Sequence, residues 1–449
     1  MAFLLRAATM AVLSLFFAGP ASATMPSWNL NDVSVLFALP QGGADAPVGL
    51  LPPQARGATG DLLPDAVYGL LPTLYQPGRG NETLYTQSLR VVGLRVDPCP
   101  PSERDDCRPE FRLVWQPVEF DEKAGRWLVR DAAIHAIYRL EGDEPDLLLG
   151  GLWALKRANG RLGVRTDGLP LGVHPALRSP VTAGRFSQAL NTLVLRHARG
   201  DRLHRVTFTA LRVPTRWWRF GALEKVGESR WQRVDIPRLD APSVDIFNVA
   251  VEDGVDLGPE RGLDAVFNVL PEEYPERDNL LPLINKGYRF NDARDRPVFA
   301  EKLDAVARFE NPASSNADEL DCASCHYTDA ARYYAENRFP DLRDLQPKDR
   351  FQNPNPSLFD LSNTSIVARS TRLVRAFGYQ GAEPAVSQRT INESAVVADW
   401  LNTRDSSALA ANAEVAYSGA CGTRTGDAAA FAAEEILNTG VTWPCEGSQ

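Results

Sequence analysis

Two cysteines and a histidine stand together in the C-terminal third of the chain, within the run Cys322-Ala323-Ser324-Cys325-His326. This C-x-x-C-H spacing is the one by which a protein attaches a c-type haem. Each thiol adds across one vinyl group of the haem, and the adjacent histidine reaches the iron as its proximal ligand. The run therefore predicts one covalently attached haem c, with Cys322, Cys325 and His326 binding the cofactor and His326 coordinating its metal.

Two other interpretations of this run stay open. Cys322 and Cys325 would form a simple disulfide if His326 were incidental, or the three residues would bind zinc. A structural zinc site needs four ligands, so a further one would have to come from elsewhere in the chain. The sequence contains no nucleophile elbow, P-loop or H-E-x-x-H run. Glu393 and Asp399 are expected to be solvated carboxylates on the face of a helix.

The N-terminus has the pattern of a cleavable signal peptide. Residues 1–6 carry one positive charge, residues 7–20 are mostly apolar, and Ala21-Ser22-Ala23 fits a cleavage site. The apolar stretch is too short for a membrane span, and no later segment approaches the roughly 18 apolar residues of a transmembrane helix. We therefore expect a periplasmic or secreted protein with no integral membrane segment after cleavage, the alternative being a short uncleaved anchor.

Four cysteines lie outside the motif, and their even number in an exported chain favours disulfides. They are Cys99, Cys107, Cys421 and Cys445. The sequence permits three connectivities. We expect the local one, which joins Cys99 to Cys107 and Cys421 to Cys445, because the partners are then close along the chain.

The composition is that of an ordinary globular protein, and the 449-residue length suggests two or three domains. The net charge of −9 at pH 7 argues against nucleic acid and anionic membranes as partners. A redox partner protein is expected, but the sequence does not identify it, and it does not give the oligomeric state.

The hydrophobic pattern divides the chain into four segments: the signal peptide (1–23), a β-rich domain (24–240), a connector (241–320) and a helical haem-binding region (321–449). Strands are predicted at Ser88–Val96, Phe111–Trp115, Arg126–Val129, Asn191–Arg196 and His204–Val213. Helices are predicted at Lys302–Phe309, from Thr328 to Arg338, after a capping box at Thr390–Glu393, and from Asp427 to Asn438. The predicted fold class is α+β multidomain, with a sandwich-like β-rich region followed by a mainly α-helical cytochrome c-like region.

On Cys322, Cys325, His326 and the signal peptide, the chain resembles exported proteins with a c-type cytochrome domain. The resemblance covers at most the last third of the chain. It implies covalent attachment through the two cysteines and proximal ligation by the histidine. One departure is that small cytochromes c carry a distal methionine after the motif, whereas this sequence has no methionine after Met25. The usual His/Met pair is therefore missing from the C-terminal region.

Four possibilities remain for the sixth iron ligand. The first is a histidine from the N-terminal part, namely His135, His174, His197 or His204. The second is an open or water-filled position. The third is a tyrosine near the motif, namely Tyr327, Tyr333 or Tyr334. The fourth is Met25.

These observations favour electron transfer or redox sensing through one covalently attached haem. A haem peroxidase or oxidase with an open distal position is the second hypothesis, since catalysis at iron needs a displaceable ligand. A haem-free exported β-rich binding protein with a structural C-x-x-C is the third.

Overall fold

The structure is a computed structural model of the chain. It describes residues 27–46, 49–71, 87–100, 107–212, 217–227, 230–237, 241–250, 265–269, 280, 283, 294–316, 320, 322–371, 373–404, 408–409 and 412. The signal peptide, Met25, the predicted pair Cys421–Cys445 and the predicted helix Asp427–Asn438 lie outside these residues.

Most of the strands described belong to one large antiparallel sheet. The strands are β1 (Ser34–Leu36), β2 (Arg56–Gly57), β3 (Gly60–Asp61), β4 (Leu89–Asp97), β5 (Glu110–Asp121), β6 (Arg126–Val129), β7 (Ala132–Arg139), β8 (Leu203–Arg212), β9 (Trp217–Val226), β10 (Arg230–Val234), β11 (Ser243–Ala250), β12 (Ala265–Val269), β13 (Phe377–Gln380) and β14 (Glu383–Val386). Ten of them form the sheet in the order β1-β4-β5-β7-β8-β9-β11-β12, with β6 on β5 and β10 on β9. The pairs β2-β3 and β13-β14 are separate hairpins.

Helices cover the sheet. They are α1 (Leu30–Val33), α2 (Asp65–Tyr68), α3 (Glu144–Arg161), α4 (Pro175–Arg178), α5 (Ala183–His197), α6 (Arg296–Glu310), α7 (Cys322–Arg338) and α8 (Gln388–Asn402), with short 3-10 helices at Pro340–Asp344 and Ile366–Arg369. Long helices bury residues at helical spacing, as Leu148, Leu152 and Leu155 show in α3. The buried residues of α3 and α5 share one core with Val206 and Ala210, which lie on the same face of strand β8.

The predicted fold class is wrong, because the large antiparallel sheet, and not a β-rich region followed by a mainly helical cytochrome c-like region, organises the chain. The C-terminal region contributes the hairpin β13-β14 as well as helices. Helix α7 packs on the sheet through the buried side chains of Tyr327, Ala331 and Tyr334, which share a core with Phe220 of β9 and Val244 of β11. Its apolar face is therefore covered by strands.

The predicted strand Asn191–Arg196 is also wrong, since these residues lie inside helix α5. The reason is the spacing of the apolar residues around it. Phe186, Leu190, Leu193 and Val194 are buried at helical intervals, so that one face of a helix holds all four, whereas a strand would put Leu193 on the face opposite the other three.

Several local predictions are confirmed. Strands β4, β6 and β8 match the predicted ones within a residue, and the predicted Phe111–Trp115 lies inside β5. Cys99 and Cys107 form a disulfide with a Cα–Cα distance of 5.8 Å. The helix predicted after Thr390–Glu393 is present as α8, but the predicted capping box is wrong: Thr390 and Glu393 lie inside the helix, and the N-cap is Ser387, whose side chain accepts from the Thr390 N–H. The segment predicted as a connector supplies strand β11 to the sheet and helix α6.

The hairpin β13-β14 is fixed to the sheet by one buried glutamine. The side-chain amide of Gln116 on β5 donates to the Tyr379 carbonyl at 3.0 Å and accepts from the Tyr379 N–H at 2.7 Å. Just before the hairpin, the buried Arg375 is paired with Asp131. These contacts hold the backbone at 374–376 against the sheet, beside the start of helix α7.

Candidate functional site

A cavity lies between one face of the sheet and the C-terminal helices. Its walls come from strands β4, β5, β7, β8 and β9 on one side and from helices α7 and α8 on the other. Two of the three motif residues, Cys325 and His326, line it. Cys322 is the first residue of helix α7, and the three-residue spacing puts position 322 on the same helix face as position 325.

The motif histidine is held by a backbone carbonyl. His326 Nδ1 lies 2.7 Å from the Val374 carbonyl oxygen. Since a carbonyl only accepts, Nδ1 carries the proton and Nε2 keeps its lone pair. The Phe220 ring packs against the imidazole with 5.0 Å between the ring centres. A histidine whose second nitrogen is fixed in this way is oriented as metal-binding histidines usually are.

Burial keeps the His326 imidazole neutral. It lowers the pKa of His326 to about 4, with a further lowering by Arg375 and an opposing effect of the Val374 carbonyl. At neutral pH the Nε2 lone pair is therefore available to a metal.

The register of the sheet places three arginines in one row on the cavity face. Arg95 on β4 is opposite Arg112 on β5, which is opposite Ile137 on β7, and Ile137 is opposite Arg205 on β8. Residues directly opposite each other in neighbouring strands point to the same face. All four line the cavity.

Carboxylates offset the repulsion within this row. Glu393 of helix α8 accepts from Arg95 at 2.7 Å, and Glu224 of β9 accepts from Arg205 Nε at 2.8 Å. Glu110 lies 3.5 Å from the Arg112 guanidinium. The sequence offered only a weak signal for this row, because alternating arginines are equally typical of a solvent-facing strand.

Glu393 is not the solvated carboxylate that the sequence suggested, as its side chain is 18% exposed and bound by two arginines. Burial favours a higher pKa, but Arg389, Arg95 and Arg112 outweigh it and lower the pKa of Glu393 to about 2. Arg389 also donates to the Phe309 carbonyl at 2.7 Å, which fixes helix α8 to the end of helix α6.

A second row, next to the arginine row, contains a histidine. His135 on β7 is opposite Val114 on β5 and Thr207 on β8, and its side chain lines the cavity. Burial and the neighbouring His326, Arg112, Arg95 and Arg375 hold the pKa of His135 well below its usual range. His135 is therefore a neutral imidazole facing the same cavity as His326.

The other proposed sixth ligands lie elsewhere. His174 stacks on Phe186 with 4.4 Å between the ring centres, His197 is buried on helix α5, and His204 Nε2 is 2.9 Å from a Glu110 carboxylate oxygen. The three tyrosines of helix α7 belong to or pack against the core beneath it, and none lines the cavity. Of the candidates within the described chain, His135 alone lines the cavity.

The donor set of the cavity suits a haem. Thiol and imidazole donors stand beside apolar surface from Phe220, and the charged lining comprises four arginines against one glutamate. Guanidinium groups bind carboxylates such as the haem propionates. The buried Arg375 also has two guanidinium nitrogens, Nε and Nη1, without a hydrogen-bond partner among the described residues.

The volume of the cavity sets a condition on binding. It encloses about 130 Å³, less than the roughly 300–1,000 Å³ of pockets that hold drug-sized ligands. Haem binding therefore requires the cavity to enlarge.

Elsewhere in the described ranges, one further cluster has the residue types of a metal site. It consists of Asp97, Cys99 and Cys107. The two cysteines are joined in the disulfide, so neither is a thiolate, the form in which cysteine binds metals.

No family model, curated protein or solved structure matches this chain. Among the helices of the described residues, none has the length and apolar character that a membrane span requires.

Proposed function

We propose that the chain is an exported c-type haem protein that transfers or senses electrons through one covalently attached haem. Cys322 and Cys325 bind the haem vinyl carbons, and His326 is the proximal iron ligand. The observation that carries the proposal is the hydrogen bond from His326 Nδ1 to the Val374 carbonyl, which leaves Nε2 as an acceptor beside Cys325 in one cavity.

The residues that surround His326 would orient its ring and bind the carboxylates of the haem. The bound haem supplies one-electron redox chemistry. Val374 and Phe220 orient the His326 imidazole, and the arginine row offers guanidinium groups to the haem carboxylates. The cavity lining contains more arginines than glutamates. This positive charge favours the reduced state of a redox group, since the added electron is attracted to it.

Haem content tests the proposal directly. The full chain, produced in a host with a haem c maturation system, is expected to carry one haem that survives denaturation, measured as the pyridine haemochrome. Cys322→Ser and Cys325→Ser should each weaken covalent attachment, because each removes one thioether bond. His326→Ala should retain the haem but change the iron spin state.

The matched control is the double variant Cys99→Ser/Cys107→Ser, which removes two cysteines that form a disulfide elsewhere. It should keep its haem. A wild-type protein without denaturation-resistant haem would overturn the proposal and leave the haem-free binding protein. An unchanged spectrum in His326→Ala would show that another residue is the proximal ligand.

The same samples separate electron transfer from catalysis at iron. A low-spin ferric spectrum that is indifferent to cyanide and peroxide is expected for an electron-transfer haem. A high-spin ferric spectrum that responds to both would contradict that role and support the peroxidase or oxidase hypothesis.

A further inference from the structure

The two histidines that line the cavity come from opposite walls. His326 stands on helix α7 and His135 on the central strand β7. Strand β7 pairs with β5 on one side and β8 on the other, so the strand around His135 is held by backbone hydrogen bonds to both neighbours. A side chain on such a strand is a rigid support for a ligand, whereas a loop residue is not.

The His135 ring makes no hydrogen bond among the residues that the structure describes, whereas His174 and His204 have partners. His197 Nε2 also lacks a partner among these residues, but His197 lies on helix α5 and does not line the cavity. His174 accepts from the Ala176 N–H at 3.1 Å, and His204 pairs with Glu110 at 2.9 Å. The imidazole is half-buried and lines the cavity, so a group bound in the cavity can be its partner. Its neighbours across the strands are Val114 and Thr207, and neither is charged.

The charged groups that face His135 from the neighbouring elements are mostly cationic. Arg95 and Arg112 come from β4 and β5, Arg205 from β8, and Arg389 with Glu393 from helix α8. His326 faces it from helix α7, and Arg375 also acts on it electrostatically. A neutral imidazole keeps the lone pair that iron ligation requires.

From this arrangement we infer that His135 is the sixth ligand of the haem iron, on the face opposite His326. The inference rests on the proposed function, since it needs a haem attached at Cys322 and Cys325. The inference names a sixth iron ligand in a chain that has no methionine after the motif. One iron ligand would come from the sheet and the other from helix α7. The iron would then link β7 to α7, and its distal position would be closed to small ligands.

The test compares the ferric spectra and electron paramagnetic resonance of three full-length, haem-loaded proteins: the wild type, His135→Gln and His204→Gln. The wild type is expected to be low-spin. His135→Gln should become high-spin with unchanged covalent haem, because the amide is a poor iron ligand. His204→Gln is the matched control on the neighbouring strand, outside the cavity lining, and should stay low-spin.

Two further variants keep the inference testable if His135→Gln folds poorly. In His135→Gly, added imidazole should restore the low-spin signal, because it takes the place of the missing side chain. In His135→Met, the reduction potential should rise relative to the wild type, as it does when methionine replaces histidine opposite a histidine ligand. A residue that only packs against the haem would give neither result.

The outcomes distinguish this inference from the proposed function. A wild type that carries haem but is high-spin, or a His135→Gln protein that stays low-spin, would overturn the role of His135 and leave the haem site standing. A wild type without covalent haem would overturn both.

Discussion

His174 and His326 show how the same side chain acquires opposite properties from its hydrogen bond. His174 Nδ1 accepts from the Ala176 N–H, so the ring proton must be on Nε2. His326 Nδ1 donates to the Val374 carbonyl, so Nε2 is the unprotonated nitrogen. One histidine caps a short helix and the other is ready to bind a metal. At the scale of single residues, this difference of tautomer separates a structural histidine from a candidate ligand.

The buried His174 should make the protein sensitive to acid. Burial, with a smaller effect of Lys156, lowers the pKa of His174 to about 3 from 6.5. Between these values the unfolded chain binds one more proton than the folded one, so the free energy of unfolding falls as the pH drops below about 6.5. The slope per proton is about 1.4 kcal/mol per pH unit. His174→Asn should reduce the slope, as urea unfolding at several pH values between about 7 and 5 would show.

The control for this prediction is Phe186→Leu, which removes the ring stacked on His174 but keeps the titrating group. It should lower stability by a similar amount at every pH and leave the slope as it is. His197, whose pKa burial also lowers to about 3, keeps its own contribution in both variants. A slope in His174→Asn equal to that of the wild type would refute the prediction.

At the scale of elements, the hairpin β13-β14 positions the backbone carbonyl that accepts the hydrogen bond from His326. Val374, which accepts from His326, is three residues before β13, and the hairpin is bound to the sheet through Gln116 and the Tyr379 backbone. Gly378 permits this approach because its φ of +144° is one that other residues rarely adopt. A small hairpin therefore positions the Val374 carbonyl, and through it orients His326 on helix α7.

Replacement of Gly378 by alanine should loosen this docking. A Cβ at position 378 would overlap the buried Gln116 amide, and the backbone angle adds strain. We expect Gly378→Ala to lower the free energy of unfolding by about 2–4 kcal/mol in denaturant titrations. Gly381→Ala is the matched control, since its φ of +58° is also positive but its Cβ meets nothing within 4 Å, and it should cost only about 1 kcal/mol. Equal losses in the two variants would mean that Gln116 does not restrict the hairpin.

At the scale of the whole molecule, the two ends of the described chain are bound to each other. The Trp28 N–H donates to Asn402 Oδ1 at 2.7 Å, and the Asn402 side chain donates back to the Trp28 carbonyl at 3.1 Å. The Ser34 and Ser394 hydroxyls lie 2.7 Å apart. Helix α8 thus closes on the first strand of the large sheet, and the cavity is completed by residues from both halves of the sequence.

This arrangement predicts that the C-terminal region does not fold alone. A fragment of residues 321–449 lacks Phe220 and Val244, against which helix α7 packs, and the five strands that line the cavity. We expect the fragment to show no near-ultraviolet circular dichroism and no cooperative unfolding, since its apolar helix faces have no partner. The full-length chain is the control. A sharp cooperative transition in the fragment would show instead that residues 321–449 are an independent domain.

The sequence by itself indicated the local features: the spacing of Cys322, Cys325 and His326, the Cys99–Cys107 disulfide as the expected one of three possible connectivities, and strands within a residue of β4, β6 and β8. These depend on near neighbours and on period-two alternation, which are visible along the chain. Only the tertiary structure decided that one sheet receives the C-terminal helices, that Arg95, Arg112 and Arg205 form a row, and that His135, out of four candidate histidines, faces His326. The physical reason is strand register, because the residues that share a face of a sheet are set by pairings between segments far apart in sequence.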